Sequence, residues 1–272
     1  MAQQFNNNIF NRIYKYPKIG KIYNIEGIIQ PTRLFDFTLV CKIIYPENKN
    51  IAQGTGFFYK INNGIYVVTN KHMICENIEN NITYISAENN MIKQYSTLIK
   101  LVRNETVFFH PDNQCDLCMI KIQEINGEVY ALENKNIVNF VELYTTYLSY
   151  MSPYPAIYMR GYTMNTLFPF NREGTLTSSI YEEMDCLLGD ITSIDGYSGS
   201  PVFIKLKNIF GTDNGSVLFL GINKGYVYNE MKVFTKIDTE TVTNLYCKEN
   251  IRQNFIIKSS EIIDIEKIIS TI

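Results

Sequence analysis

The stretch Asp195–Phe203 has the residue types of a nucleophile loop. It places Ser198 between small, turn-forming residues, ahead of a proline and an apolar run that is typical of a strand. A serine hydroxyl attacks a carbonyl effectively only when a base takes its proton and donors hold the oxyanion. Gly196 lets consecutive backbone N–H groups point into one concave spot that a Cβ would obstruct. This pattern predicts that a histidine and an acid elsewhere in the chain are brought to Ser198 by the fold.

The base for such a serine would be one of the two histidines of the chain, unless a lysine serves instead. His72 comes shortly after the apolar, strand-like run Ile65–Thr69, and by position alone it could equally be a structural residue. His110 precedes a Pro-Asp turn, where a histidine is most often solvated. The motifs around His72 must therefore decide the choice.

Two aspartates compete for the role of the acid that orients the base. Asp112 lies in the turn Pro111–Gln114, where an aspartate usually just closes the turn. Asp116 opens the apolar strand that runs to Ile122, where an aspartate would be costly unless it had a partner. We therefore favour Asp116 over Asp112.

The motifs around His72, Asp116 and Ser198 follow one another along the chain in that order. They resemble those of the trypsin/chymotrypsin-like serine proteases, particularly the bacterial and viral intracellular members. The segments that carry the resemblance are Gly54–Phe58, Val67–His72, Cys115–Ile120 and Gly196–Pro201, with weaker matches at Gly161–Tyr162, Gly174–Leu176 and Leu220–Asn223. The chain order of histidine, aspartate and serine also disfavours an α/β-hydrolase, in which the serine comes first.

The resemblance implies an all-β fold of two antiparallel six-stranded β-barrels, with the active site in the cleft between them. His72 and Asp116 would come from the first barrel and Ser198 from the second. Ser198 would attack the scissile carbonyl, His72 would carry the proton, and Asp116 would hold the imidazole tautomer. The backbone N–H groups of Gly196 and Ser198 would form the oxyanion hole.

The chain departs from the family pattern at two positions next to these residues. Tyr197 stands where secreted, zymogen-type members have an aspartate that pairs with a newly cut N-terminus, so no such activation step is expected. Met73 replaces the cysteine that often follows the histidine. The chain's six cysteines are scattered through apolar surroundings, and we expect them to be reduced rather than paired.

The same resemblance suggests which residues bind substrate. Thr192, six residues before the nucleophile, would lie at the base of the primary pocket and offers no buried anion to select Lys or Arg. Asn223, Lys224 and Gly225 would form the edge strand that hydrogen-bonds the substrate backbone. Lys224 would either favour an acidic side chain nearby or simply be solvated.

Composition is typical of an ordered globular protein, with 46% apolar and 19% charged residues among 272. A net charge of −2 gives no electrostatic case for binding nucleic acid or an anionic membrane. The polar N-terminus and the lack of any apolar run near ~20 residues predict a cytoplasmic protein without a membrane span. Cys115 and Cys118 have no second ligand pair close in sequence, and no phosphate loop is found, so neither a metal nor a cofactor is expected.

Turn signals recur about every ten residues, as in a β-barrel or sandwich. We expect an N-terminal arm (1–34), a first barrel (35–140), a linker (141–155), a second barrel (156–257) and a C-terminal helix (258–272). The linker carries a stripe of tyrosines. The helix should begin at Ser259 or Ser260 and pack a face of isoleucines on the second barrel; these are Ile262, Ile265, Ile269 and Ile272.

Taken together, these patterns predict a serine endopeptidase that cleaves a protein or peptide substrate through an acyl-enzyme intermediate. The alternative is a binding protein on the same chymotrypsin-like fold that has lost catalysis, or one that a regulatory protein partner must activate. Retention of His72, Asp116 and Ser198 favours the enzyme.

Overall fold

The computed structural model describes residues 29, 39–47, 50–74, 83–88, 96–101, 107–122, 129–138, 140, 155–163, 166, 168–177, 186–207, 213–234 and 242–272. Most of the predicted arm, and the predicted linker apart from Pro155, lie outside these residues. No helix among the described residues is long and apolar enough to cross a membrane.

Within the described ranges the chain forms fourteen β-strands and one α-helix. In chain order the elements are β1 (Val40–Glu47), β2 (Asn50–Ile61), β3 (Gly64–Thr69), β4 (Thr83–Glu88), β5 (Ser96–Leu101), β6 (Val107–Phe109), β7 (Cys118–Ile122), β8 (Leu132–Glu133), β9 (Ala156–Gly161), β10 (Phe170–Leu176), β11 (Cys186–Ile191), β12 (Pro201–Lys207), β13 (Asp213–Phe234), β14 (Val242–Lys258) and α1 (Ile262–Ser270).

The N-terminal strands form one eight-stranded sheet in the order β5-β4-β1-β2-β3-β7-β6, with β8 pairing β2 in parallel. Its central hairpin joins β2 to β3 through the turn Asn62-Asn63-Gly64. Asn62 there adopts φ 52°, a conformation that asparagine tolerates better than most residues. This hairpin ends in the segment that carries His72, so the turn sets the register of the site.

The C-terminal strands close into a six-stranded antiparallel barrel in the order β10-β11-β14-β13-β12-β9. The predicted all-β fold is thereby confirmed, with this unit as an expected six-stranded barrel, whereas the first unit is an eight-stranded sheet rather than a six-stranded barrel. The turn signals predicted shorter strands than β13, with 22 residues, and β14, with 17 residues. Polar residues run through much of β14, which hid its strand character, but pairing with β13 and β11 satisfies its backbone.

An apolar core cluster extends across both β units. Phe57 of the first sheet makes an edge contact with Phe219 of the barrel at 5.2 Å between ring centroids, and Phe203 lies 5.8 Å from Phe219. Such aromatic pairs contribute about 0.5–1.5 kcal/mol each beyond burial. This shared core fixes one unit against the other, which a site built from both requires.

Helix α1 follows a single 3-10 turn, Ser259–Glu261, and buries Ile262 and Ile265. Ile272 is 90% exposed, because the helix ends at Ser270 and the predicted apolar face stops with it. The isoleucine face, predicted to pack on the second barrel, enters the core cluster that both β units share, and the polar contacts of the helix go to the first sheet. Glu266 accepts hydrogen bonds from the Tyr59 hydroxyl (3.5 Å) and from the Asn134 amide (2.7 Å).

Candidate active site

His72 lies in a single 3-10 turn, Lys71–Met73, directly after β3. Its ring Nδ1 is 2.6 Å from Asp116 Oδ2, and its backbone N–H donates to Asp116 Oδ1 at 2.9 Å. A carboxylate bound to Nδ1 favours the tautomer that carries its proton there, so the lone pair is left on Nε2. The imidazole is 47% exposed while the carboxylate is 16% exposed, so Nε2 remains accessible to a reacting group.

Asp116 is held in place through its backbone. Its carbonyl accepts hydrogen bonds from the Asn70 side-chain amide at 3.1 Å and from the Lys71 N–H at 3.3 Å. Asp112, the rival acid, uses its carboxylate to accept the Gln114 N–H at 2.9 Å within the turn. The structure therefore brings Asp116 to His72 and leaves Asp112 closing the loop.

His110 is buried rather than solvated as its turn position suggested, with only 5% of its surface exposed. The β6–β7 hairpin folds it inward, and its Nδ1 lies 3.1 Å from the backbone nitrogen of Asp112. Its Nε2 faces Glu261 at 3.4 Å, beneath the start of α1. Its contacts thus point to a location apart from the His72–Asp116 pair.

Thr55 of β2 connects the first sheet to the loop that carries Ser198. Its N–H donates to the Ser198 carbonyl at 2.9 Å and its hydroxyl donates to the Gly196 carbonyl at 2.8 Å. The same hydroxyl oxygen accepts the Tyr162 N–H at 2.9 Å. A Cβ on neighbouring Gly54 would collide with the Met73 side chain and would approach the Ser198 carbonyl to 3.4 Å. The His72 turn and the Ser198 loop therefore both flank this part of β2.

Some backbone N–H groups of the nucleophile loop donate to carbonyl groups, and others have no acceptor among the described residues. The N–H groups of Tyr197, Gly199 and Ser200 are taken by the carbonyls of Ile194, Asn223 and Tyr197 respectively. In the described part of the chain, the N–H groups of Gly196 and Ser198 have no acceptor. These are the two donors that the sequence resemblance assigns to an oxyanion hole.

Positive φ angles at two glycines allow the loop to direct its N–H groups in this way. Gly196 has φ 102° and Gly199 has φ 81°, both in the region that favours glycine. A Cβ at Gly199 would also strike the Thr55 carbonyl and the Thr69 hydroxyl. The loop conformation therefore depends on these two glycines.

The Ser198 hydroxyl makes no hydrogen bond to the His72 ring among the described residues, where the ring is bound by Asp116. Catalytic hydrogen bonds are often long before a substrate binds and shorten in the reacting complex. Asp116 thus bonds His72, and Thr55 bonds the loop that carries Ser198.

Tyr197, next to the nucleophile, is fully buried in the core of the second barrel. Its hydroxyl accepts from Arg172 Nε at 3.4 Å, and the guanidinium carbon lies 5.9 Å from the ring centroid. Burial raises the pKa of Tyr197, so the phenol stays neutral. Apolar packing and Arg172 therefore stabilise Tyr197 in its position.

Asn223 supports the nucleophile loop. Its backbone was expected to bond a substrate, but it is already paired within the protein. It is fully buried, its N–H and carbonyl pair with Ser200 and Gly199, and its side-chain amide donates to the Tyr197 carbonyl at 2.9 Å. Thr192 is half-buried in the segment that follows β11, upstream of the nucleophile loop.

Lys224 and Gly225 are placed differently from Asn223. A register shift in the β13–β14 pairing falls between Asn223 and Gly225, so Lys224 lies at an irregularity in the ladder. Gly225 has φ 155°, and no heavy atom lies within 4 Å of the position that a Cβ would take. The face of the strand at Gly225 is therefore open.

Sequence reasoning did not assign a role to Thr55, Asn70 or Tyr226. The first two fix the two loops through the hydrogen bonds already described, and the Tyr226 hydroxyl donates to the Asp195 carboxylate at 3.1 Å. The signal for Thr55 was its place between two glycines in an otherwise apolar strand. A hydroxyl there must find partners, because burying it without them is costly.

Comparison with solved structures identifies a protein of similar fold. The chain is similar to the crystal structure of the serine endoprotease from Yersinia pestis, with 16% identity, a TM-score of 0.50, and coverage of 93% of this chain and 67% of that one. The fold is chymotrypsin-like. At this identity the likeness concerns fold alone. No family model and no curated protein matches the chain.

Proposed function

We propose that this chain is a serine endopeptidase that hydrolyses protein or peptide substrates with Ser198, His72 and Asp116. The observation that carries the proposal is the pair of hydrogen bonds that the Asp116 carboxylate accepts from the ring and the backbone N–H of His72. Two bonds from one carboxylate set both the orientation and the tautomer of the imidazole. Nε2 is then ready to act as a general base.

Acylation begins when the Ser198 oxygen attacks the scissile carbonyl carbon and its proton passes to His72 Nε2. The N–H groups of Gly196 and Ser198 donate to the new oxyanion, and the Asp116 carboxylate stabilises the imidazolium. The intermediate then collapses, the C–N bond breaks, and His72 returns the proton to the leaving amine. The product is an ester between the acyl half of the substrate and Ser198.

Deacylation repeats these steps with water. His72 takes a proton from the water as its oxygen attacks the ester carbonyl, and the same two N–H groups stabilise the second oxyanion. The C–O bond to Ser198 breaks, the serine oxygen regains its proton from His72, and the carboxylic acid is released. The enzyme returns to its starting state without a cofactor.

Substrate binding would use the open backbone at Lys224 and Gly225, with Thr192 at the base of the primary pocket. An extended peptide that adds beside β13 would gain main-chain hydrogen bonds there. Thr192 supplies no anion for a Lys or Arg side chain, and Lys224 supplies a cation near the strand. We therefore propose a preference for substrates with an acidic side chain near the cleaved bond.

A fluorophosphonate probe tests the enzyme directly, because it reacts with an activated serine. We expect labelling of Ser198 in the full chain, with loss of labelling in Ser198→Ala and in His72→Ala. Ser200→Ala is the matched control, since this buried serine lies two residues away and should be dispensable. Equal labelling of wild type and His72→Ala would contradict the proposed mechanism.

A second candidate is a chymotrypsin-fold protein that is catalytically silent or becomes active only with a regulatory partner. It is favoured by the missing hydrogen bond between the Ser198 hydroxyl and the His72 ring within the described residues. Labelling that appears only after addition of the partner would support activation. The absence of labelling under every condition, with specific peptide binding retained, would support the silent protein.

We further propose that the protein works in a reducing compartment such as the cytoplasm. The four cysteines in the described ranges, Cys41, Cys115, Cys118 and Cys186, are free thiols. Free buried thiols are common where disulfides do not persist. Thiol titration of denatured protein purified under alkylating conditions should find all six cysteines reduced.

A further inference from the structure

A second cluster of reactive side chains lies beneath the start of α1, and the proposed catalysis does not use it. His110, Cys115 and Glu261 each direct one ligand-type atom into a common space, and these atoms all lie within 4.8 Å of one another. His110 and Cys115 belong to the β6–β7 hairpin, while Glu261 lies in the turn before α1. The fold therefore brings together a nitrogen, a sulfur and an oxygen from distant parts of the sequence.

His110 supplies the observation that points to a missing ligand. Its side chain is only 4% exposed, and its Nε2 is buried without a hydrogen-bond partner in the structure. This nitrogen faces Glu261 Oε2 at 3.4 Å and Asp264 Oδ2 at 3.9 Å. Buried polar atoms are almost always satisfied, so one that faces two carboxylates without bonding either needs an explanation.

The separations fit a tetrahedral metal ion. Zinc binds histidine nitrogen and carboxylate oxygen at about 2.0–2.2 Å, which places two tetrahedral ligands roughly 3.3–3.6 Å apart. The 3.4 Å between His110 Nε2 and Glu261 Oε2 falls in that range. His110 Nδ1 lies 3.1 Å from the Asp112 backbone nitrogen and 3.3 Å from the Asp112 carbonyl, and metal binding at Nε2 requires the tautomer in which Nδ1–H donates to that carbonyl.

Cys115 fits the same arrangement. Its sulfur lies within 4.8 Å of the ligand atoms of His110 and Glu261. A divalent cation stabilises a coordinating thiolate outright. The thiol would then release its proton to solvent as the metal binds.

We propose that His110, Cys115 and Glu261 form a zinc site, with a water in the fourth position and Asp264 beside it. Mixed nitrogen, sulfur and oxygen ligands favour zinc over calcium or magnesium, which prefer oxygen alone. The sequence pattern of Cys115 and Cys118 gave no hint of this site, because Cys118 lies on β7 and its thiol bonds the Asn70 carbonyl instead.

Such an ion would tie the loop that carries Asp116 to the C-terminal helix. Cys115 directly precedes Asp116, so a metal bound there restrains the backbone next to the carboxylate that holds His72. The role is structural, since the ligands belong to the loop and to the turn before α1 rather than to the nucleophile loop. Zinc should raise the thermal unfolding temperature of the chelator-treated full chain.

Metal binding to the full chain tests the proposal without reference to activity. Chelator-treated protein is titrated with Zn²⁺ in competition with a chromogenic chelator, and with Co²⁺ to observe thiolate-to-metal absorption. We expect one ion per chain and a cobalt spectrum with a thiolate band. Cys115→Ser and Glu261→Gln should each weaken zinc binding at least as much as the roughly 10–100-fold typical of losing an outer-shell partner.

Cys118→Ala is the matched control, because it removes a buried thiol three residues away and should leave zinc affinity unchanged. Near-ultraviolet circular dichroism checks the fold of each variant, and Glu261→Gln decides the matter if Cys115→Ser does not fold. Failure of the wild type to bind zinc would overturn the proposal. So would wild-type affinity in a folded Glu261→Gln variant, or loss of the thiolate band in Cys118→Ala alone.

Discussion

The two histidines of this chain have opposite surroundings, although each follows a short strand of the same sheet. The His72 side chain is 47% exposed and bound at Nδ1 by a carboxylate, whereas the His110 side chain is 4% exposed and has an unbonded Nε2. Asp116 uses both oxygens on His72, while Glu261 and Asp264 only approach His110. In our proposals, the first arrangement suits an imidazole that transfers protons and the second suits one that binds a metal ion.

The difference comes from what packs over each strand end. The His72 side chain is about half exposed, because the turn Lys71–Met73 presents it at the surface. Helix α1 begins above His110, with Ile262 and Ile265 buried in the shared core beside it. A strand-end histidine therefore acquires its chemistry from distant elements as much as from its own sequence neighbours.

Replacing each histidine in turn should show the largest difference between the two histidine environments. Removing a triad histidine in a related mechanism costs about 10⁴–10⁶-fold in kcat, so His72→Ala should lose nearly all peptidase activity with little change in unfolding temperature. His110→Gln should instead keep activity within about tenfold and lower the unfolding temperature. Peptide hydrolysis and calorimetry measure both effects; a His110→Gln variant as inactive as His72→Ala would reverse our assignment.

The two aspartates of the loop offer the next largest contrast. Asp116→Asn should reduce kcat by about 10⁴-fold, because an amide no longer stabilises the imidazolium or fixes its tautomer. Asp112→Asn should leave kcat nearly unchanged, since asparagine can also accept the Gln114 N–H and close the turn. Single-turnover kinetics with an ester substrate compares the two, and equal losses in both variants would contradict the separate roles of the two carboxylates.

Local patterns made much of this arrangement predictable, and distant packing explains what they missed. The motifs around His72, Asp116 and Ser198 depend on neighbours in sequence, as does the Asn-Asn-Gly hairpin. The burial of His110 depends on a helix formed by the last residues of the chain. Periodicity reports which side of an element is apolar, but it does not identify the element that will cover it.

The same limit accounts for β14 and for Asn223. The polar sequence of β14 forms a strand because β11 and β13 flank it and satisfy its backbone. Asn223 looked like part of an exposed edge, yet the nucleophile loop folds over it and uses its amide and backbone groups. Both errors have one physical cause, since backbone hydrogen bonds in a barrel are satisfied by strands far apart in sequence.

Thr55 offers a smaller but more selective test, because it bonds the nucleophile loop and has no part in the His110 cluster. Thr55→Val keeps the shape but removes the hydroxyl, leaving the Gly196 carbonyl and the Tyr162 N–H unsatisfied. We expect a loss of about 1–3 kcal/mol in the free energy of unfolding. Probe labelling of Ser198 should also slow, while zinc affinity stays unchanged. Thr175→Val, on a half-buried strand position of β10, is the control for the substitution itself.

The smallest effect concerns Tyr59, whose hydroxyl meets Glu266 of the helix that also covers His110. Burial, and then the charge of Glu266, raise the pKa of this phenol far above its ordinary value of 10.0. Unfolded chains lose the phenolic proton above pH ~10 while the folded chain keeps it. The free energy of unfolding should therefore fall by about 1.4 kcal/mol per pH unit for this group. Tyr59→Phe should flatten the decline by that amount above pH ~10 and run parallel to wild type below pH ~9, as measured by urea unfolding. Identical slopes of unfolding free energy against pH in the two proteins would mean that α1 does not shield Tyr59 from solvent. That result would weaken the contrast between the strand end at His110, which α1 covers, and the more exposed one at His72.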